Sequence, residues 1–84
     1  MEKWFVYIIK CEDASLYTGI TNNLERRFFE HSHKKGGKYT SSHRPIKIIY
    51  HESCPDRSGA LKRESQIKGW SRQKKIDILH LNIN

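Results

Sequence analysis

The sequence predicts a small α/β (α+β) domain in which a three-stranded, mainly antiparallel sheet is flanked by helices in the order ββαβαα. Runs of β-branched and aromatic residues bounded by polar turn residues predict the strands, and apolar residues at helical spacing predict the helices. A chain of 84 residues builds one modest core. We therefore expect a single domain over residues 1–84, with its core at about 4–70 and a C-terminal helix at about 71–82.

The first two strands are predicted to form a hairpin. Residues 4–11 and 15–20 are both rich in residues that favour strands, and a short polar break separates them. A turn centred in that break sets Tyr7 opposite Gly19. In this register Tyr7 and Tyr17 share one face of the sheet as diagonal neighbours, and a side chain at position 19 would crowd Tyr7.

The remaining elements alternate between helical and extended patterns. Thr21 or Asn22 can cap the first helix, whose first apolar position is Leu24. The later elements, in chain order, are the rest of that helix to about residue 34, a basic loop at 34–45, a strand at 46–50, a helix at about 57–70 and a last helix capped by Ser71.

Composition favours a nucleic-acid partner. The formal net charge of +7 creates a positive potential that attracts polyanions, and we expect DNA rather than RNA. The alternative is a surface that is basic only for solubility. The loop contains four basic residues and one tyrosine that are candidates for nucleic-acid contact: Lys34, Lys35, Lys38, Tyr39 and Arg44. For the tyrosine, simple loop packing is the alternative.

Several other classes of protein are disfavoured. No apolar run approaches the ~20 residues of a membrane-spanning helix, and the N-terminal segment lacks the pattern of a signal peptide, so we expect a cytoplasmic protein without a membrane partner. Cys11 and Cys54 are far apart and lack zinc-ligand spacing, which favours buried structural thiols.

Two charged side chains are predicted to lie on the packed sides of their helices. Arg27 shares an arc of the first helix with Leu24, Phe28 and His31. Glu64 shares an arc of the second helix with Ala60, Leu61, Ile67 and Lys68. Burying either charge requires a partner or a function. An internal salt bridge between Arg27 and Glu64, with the tyrosines as core residues, is one explanation.

The other explanation is phosphodiester hydrolysis. A guanidinium such as that of Arg27 can hold phosphate oxygens and offset charge in the transition state. The carboxylate of Glu64 can hold a divalent metal. A phenol or an imidazole, from Tyr7, Tyr17 or His31, must then accept the proton of the attacking water. We expect these five side chains to converge on one concave surface on a common side of the sheet.

Sequence motifs support this second explanation. The tripeptides Phe5-Val6-Tyr7 and Tyr17-Thr18-Gly19, followed downstream by Arg27, His31 and Glu64, resemble the two eponymous tripeptides and the catalytic residues of GIY-YIG endonucleases. The resemblance covers residues 4 to about 70 and is strongest to the short bacterial members that consist of the nuclease domain. Phe5 replaces the family's first glycine, and a late asparagine found in some members has no clear counterpart, because Asn82 and Asn84 lie at the chain end.

The resemblance implies a role for each site residue. Tyr7 or Tyr17 would act as, or orient, the general base, and Arg27 would contact the scissile phosphate. His31 would take part in proton transfer or phosphate binding. Glu64 would be the single protein ligand of one Mg²⁺ or Mn²⁺ ion, bound mainly together with substrate, and Gly19 would keep space for a tyrosine.

Two hypotheses for the function follow. The first is a metal-dependent endonuclease that hydrolyses phosphodiester bonds in DNA or structured nucleic acid without a small-molecule cofactor. The second is a nucleic-acid-binding module with the same fold and little or no turnover of its own. An interaction domain that binds no nucleic acid is a third possibility, in which the charge is incidental. The sequence leaves the oligomeric state and the choice of cleaved structure open.

Overall fold

The structure, a computed structural model, describes residues 3–33 and 44–83 and has the predicted order ββαβαα. Its elements are β1 (Trp4–Cys11), β2 (Leu16–Thr21), α1 (Leu24–Ser32), β3 (Pro45–Cys54), α2 (Arg57–Lys68) and α3 (Arg72–Leu79). None of the helices in these two ranges is long and apolar enough to cross a membrane.

The three strands form one antiparallel sheet in the order β2-β1-β3. Tyr7 pairs with Gly19 and Ile9 with Tyr17, so the predicted hairpin register is confirmed. The backbone N–H of Ala14 donates to the carbonyl of Cys11 over 2.9 Å and closes the turn between the strands. Strand β2 lies at one edge of the sheet.

Strand β3 is longer than predicted and continues to Cys54 rather than ending at residue 50. Its second half, His51 to Cys54, consists of residue types with little preference for strands. Pairing with β1 extends through this segment to the Trp4–Cys54 pair, and this tertiary pairing outweighs the local preference.

The sheet has a core on each face, because successive side chains of β1 point in opposite directions. On one face, Val6 and Ile8 pack in a cluster with Ala60 and Ile67 of α2. On the other face, a smaller cluster is built from Tyr7, Ile9, Cys11, Tyr17, Leu24, Phe28 and Ile48. Helix α1 therefore covers the face opposite to the one that α2 covers.

Each helix begins at a side-chain cap. The cap of α1 is Asn23, whose Oδ1 accepts from the backbone N–H of Arg26 over 3.0 Å, so the predicted caps Thr21 and Asn22 were wrong. Thr21 instead accepts from the backbone N–H of Asn23 over 3.1 Å. Ser71 caps α3 as predicted, by accepting from the backbone N–H of Lys74.

Candidate active site

The centre of the site is Tyr7 on β1. Its side chain is only 1% exposed and lies across β2 at Gly19. A Cβ atom at position 19 would lie 2.6 Å from the Tyr7 hydroxyl oxygen and 3.1 Å from the Tyr17 ring, so only glycine leaves room for both rings. The ring centroids of Tyr7 and Tyr17 are 6.2 Å apart, and the two tyrosines lie together on one face as predicted.

His31 on α1 is fully buried against this pair of tyrosines. Its Nε2 is 2.9 Å from the Tyr7 hydroxyl, and its ring meets that of Tyr17 edge-on at 5.0 Å. Burial, reinforced by the positive charge of Arg27, lowers the pKa of His31 to about 4. The imidazole is therefore neutral at pH 7, and in the tautomer with its proton on Nδ1 the Nε2 atom accepts a hydrogen bond from the phenol.

Burial also raises the pKa of the Tyr7 phenol to about 12, while the guanidinium of Arg27 acts in the opposite direction. The Arg27 guanidinium thus lies close to the Tyr7 hydroxyl, which is in turn hydrogen-bonded to the imidazole of His31. Such contacts hold the tyrosine hydroxyl in place.

Arg27 is half-buried, as its place on the helical arc predicted, and its Nη1 lies 3.2 Å from Oε1 of Glu30. A three-residue spacing lets these two long side chains meet on one flank of the helix.

Glu64 approaches the same tyrosine from α2. Its side chain is 17% exposed, and its Oε2 lies 3.3 Å from Nζ of Lys68, one turn further along the helix. The negative charge of Glu64 contributes to the raised pKa of Tyr7, after the larger effect of burial. The carboxylate of Glu64 pairs with Lys68. The internal salt bridge between Arg27 and Glu64, which was the alternative explanation for these two charges, is not the pair that Glu64 forms.

The five predicted side chains gather around the β2 edge, although their helices cover opposite faces of the sheet. Tyr7, Tyr17 and His31 are in mutual contact, and Arg27 and Glu64 both act on the Tyr7 hydroxyl. The expectation that α1 and α2 share one side of the sheet was wrong. A helical arc identifies the packed side of a helix but does not say which face of the sheet that helix covers.

The donor chemistry fits a weakly held divalent ion. Among residues 3–33 and 44–83, no group of three or more His, Cys, Asp or Glu side chains is arranged to hold a metal. Glu64 supplies one carboxylate with hard oxygen atoms. Mg²⁺ is commonly held by one or two carboxylates, with water and substrate phosphate completing its shell, so a single carboxylate suits a metal that binds together with substrate.

Of the predicted nucleic-acid contacts in the loop, Lys34, Lys35, Lys38 and Tyr39 lie outside the described residues. Arg44 lies within them, highly exposed, with its Nη1 3.6 Å from Oε1 of Glu12. An exposed pair of this kind leaves the guanidinium accessible to a polyanion.

One basic residue, which the sequence offers as a phosphate contact without assigning it to the site, lies beside the site. Lys75 on α3 donates from Nζ to Oγ1 of Thr18 over 3.3 Å, directly next to Gly19 in β2. Its helical position falls on the same side of α3 as Ile76 and Leu79. The argument that identified Arg27, a cation on an apolar stripe, would have identified Lys75 as well.

Known proteins with similar sequences indicate the family of this chain. The sequence profile of the GIY-YIG catalytic domain matches residues 3–77. A UPF0213 protein of Staphylococcus saprophyticus is 46% identical over 79 residues, covering 94% of this chain and 96% of that protein. A UPF0213 protein of Syntrophus aciditrophicus is 49% identical over 83 residues, covering 98% and 95%.

Two solution NMR structures are also similar. A protein from E. faecalis has a TM-score of 0.66 and 34% identity, with 95% of this chain and 85% of that chain covered. The UPF0213 protein of Bacillus halodurans has a TM-score of 0.60 and 35% identity, with 93% and 83% covered. With the fold, the tyrosine pair and the extent of the profile match in agreement, the chain belongs to the GIY-YIG catalytic domain family.

Proposed function

We propose that the protein is a metal-dependent endonuclease that hydrolyses phosphodiester bonds in DNA or structured nucleic acid. The observation that carries this proposal is the buried Tyr7 hydroxyl, which is hydrogen-bonded to His31 and lies within the influence of the charges of Arg27 and Glu64. A core tyrosine needs no such set of charges around it. Phosphodiester hydrolysis needs a phosphate-binding cation, a proton acceptor and a metal-binding carboxylate, and each is present.

Arg27 binds the scissile phosphate. Its side chain is 29% exposed, so a phosphate oxygen can reach the guanidinium while the stem stays packed on the sheet. The fork of N–H donors holds two oxygens at once and offsets the charge that grows on them in the transition state. Glu30 neutralises this cation in the free protein, and the phosphate takes over part of that role on binding.

Tyr7 and His31 relay a proton. The phenol is neutral at pH 7, so its oxygen can accept the proton of the attacking water only while its own proton moves to Nε2 of His31. The water oxygen then forms a bond to phosphorus as the bond to the leaving oxygen breaks, and solvent protonates that oxygen. A phosphate bound at Arg27 offsets the charge that disfavours protonated His31, so substrate makes the imidazole a better acceptor.

Glu64 would hold Mg²⁺ or Mn²⁺, which when bound supplies positive charge to the phosphate and the leaving oxygen. The carboxylate first has to release Lys68. That lysine side chain is 52% exposed, and an exposed pair of this kind contributes little to stability, so water can replace it at small cost.

The experiment that tests this proposal is a cleavage assay on supercoiled, linear and branched DNA and on structured RNA, each with Mg²⁺, Mn²⁺ or EDTA. The proposal predicts new ends with at least one substrate and either metal, and none with EDTA. Salt-dependent binding without cleavage of any substrate would instead favour a nucleic-acid-binding module.

A further inference from the structure

A second basic site lies on the far side of β2 from Arg27. Helix α3 follows the hairpin, because Arg72 donates from Nη2 to the carbonyl of Ala14 over 3.2 Å and Lys75 donates from Nζ to Thr18 over 3.3 Å. Thr18 is only 3% exposed, and it precedes Gly19 in the edge strand. The Lys75 ammonium is therefore held against the strand that borders the proposed active site.

The charges around Lys75 are positive. Burial lowers its pKa, and the nearby ammonium of Lys68 lowers it further. The carboxylate of Glu64 pairs with Lys68, and the ion pairs within residues 3–33 and 44–83 give Lys75 no carboxylate of its own. A half-buried ammonium beside a second one is unfavourable in the free protein, and an anion placed between them would relieve the repulsion.

We propose that Lys75 and Lys68, together with the Thr18 hydroxyl, bind a second backbone phosphate of the nucleic acid. This inference rests on the proposed function and extends it, because it gives the path of the nucleic-acid backbone over the protein. Arg27 is carried by α1 and Lys75 by α3, and these two helices pack on opposite faces of the sheet. The nucleic-acid backbone accordingly crosses β2 at Gly19, and a cation holds it on each side of the scissile phosphate.

A salt titration tests the proposal without any need for cleavage. Binding of a fluorescein-labelled branched DNA is measured by anisotropy in EDTA over a range of salt concentrations, for wild type, Lys75→Gln, Lys75→Arg and Lys62→Gln. Lys62 is exposed on α2, so its loss removes the same charge away from the proposed site. The wild-type slope of log Kobs against log salt is the reference.

Loss of one phosphate contact reduces that slope by about 0.7–0.9. Lys75→Gln is expected to show this reduction, Lys62→Gln to keep the wild-type slope, and Lys75→Arg to restore it. Equal slopes for Lys75→Gln and Lys62→Gln, or a Lys75→Arg slope as shallow as that of Lys75→Gln, would overturn the proposal. Thermal melting checks the fold, and the melting temperature of Lys75→Gln should not fall, because a half-buried charge is removed.

Cleavage kinetics separate this inference from the proposed function. If both hold, Lys75→Gln raises KM several-fold and leaves kcat near the wild-type value, because the lost contact binds substrate away from the reacting atoms. A wild-type protein that binds with the predicted slopes but cleaves nothing would contradict the endonuclease alone. A wild-type protein that cleaves, with a KM unchanged in Lys75→Gln, would contradict the phosphate site alone.

Discussion

The Tyr7 hydroxyl owes its properties to the side chains around it. A phenol with a pKa of about 12 is a weak acid, so in the proposed reaction it can accept a proton from water at neutral pH only by passing its own proton to a neighbour. His31 lies 2.9 Å away and is kept neutral by burial and by Arg27, so it provides the acceptor. These two residues have to act as a unit.

Removing the guanidinium separates the catalytic role that we propose for Arg27 from the effect of general charge. We expect Arg27→Ala to lower the cleavage rate by on the order of 10²-fold or more, because one transition-state contact is lost. Arg26→Ala is the matched control, since Arg26 lies on the same helix, is exposed and donates to Asn22 over 2.7 Å. Single-turnover rates that fall equally in both variants would count against a specific role for Arg27.

The space beside Tyr7 can be tested at Gly19. In Gly19→Ala the new methyl group would lie 2.6 Å from the Tyr7 hydroxyl, so the ring must move and the hydrogen bond to His31 must lengthen. We expect a loss of about 1–3 kcal/mol in the free energy of unfolding, together with a large loss of cleavage.

Gly69→Ala is the control for this substitution. Gly69 has an ordinary helical backbone conformation, and a methyl group there would approach no atom closer than 3.4 Å. Denaturant unfolding of the two variants should therefore differ clearly. Wild-type stability and activity in Gly19→Ala would show that the tyrosine does not need its present position.

Sequence reasoning worked for those site residues that depend on short-range pattern. Tyr7, Tyr17 and Gly19 follow from the register of one hairpin, and that register is confirmed. Glu30 and Lys75 were missed as partners at the site, for different reasons. The contact of Glu30 depends on how two flexible side chains extend along α1. The apolar stripe of α3 indicates that Lys75 faces the core, but its contact with Thr18 depends on where α3 packs.

At the scale of the elements, α1 is the part of the fold that carries most of the site, since it holds both Arg27 and His31. Its first turn is fixed by Asn23. We expect Asn23→Ala to reduce stability by about 0.5–2 kcal/mol, a typical effect of losing an N-cap, and to lower kcat because Arg27 lies within one turn of the cap.

Ser71→Ala provides the comparison for this prediction. It removes the equivalent cap from α3, which carries neither Arg27 nor His31, so stability should fall by a similar amount while kcat is retained. Urea unfolding and single-turnover cleavage measure the two effects. An unchanged kcat in Asn23→Ala would show that fraying of α1 does not reach the site.

Element order was predictable and element placement was not. The ββαβαα order and the hairpin register follow from residue types and turn signals, and both are confirmed. The end of β3 was not predicted, because pairing with β1 extends it through polar residues. The placement of α1 and α2 on opposite faces depends on how the whole chain packs, and no single segment encodes it.

At the scale of the whole molecule, two buried groups make stability depend on pH. The pKa of His31 falls from 6.5 to about 4 on folding, so its contribution is present above about pH 6.5 and is lost as pH falls toward 4. The pKa of Tyr7 rises from 10.0 to about 12, so its contribution is present below about pH 10 and is lost as pH rises toward 12.

Burial also raises the pKa values of the Cys11 and Cys54 thiols above 9.0. We therefore expect a stability plateau between about pH 6.5 and 9, with a loss on the acid side on the order of 1–3 kcal/mol from His31. Urea unfolding across this range measures it. His31→Gln is the control, because a neutral amide can keep a hydrogen bond to Tyr7 without titrating. An acid-side loss as steep in His31→Gln as in wild type would assign the effect to other groups.

The central claim, that a carboxylate at the sheet edge serves phosphodiester hydrolysis, is tested most directly by Glu64→Gln. The substitution keeps the shape of the side chain and removes the charge that would hold a divalent ion. We predict loss of cleavage with Mg²⁺ and with Mn²⁺, binding of nucleic acid in EDTA that is unchanged or slightly tighter, and a stability loss below about 1 kcal/mol, because the pair with Lys68 is partly exposed. Metal-dependent cleavage that persists in Glu64→Gln, or unfolding of the domain by about 3–5 kcal/mol, the cost of breaking a buried ion pair, would contradict the account.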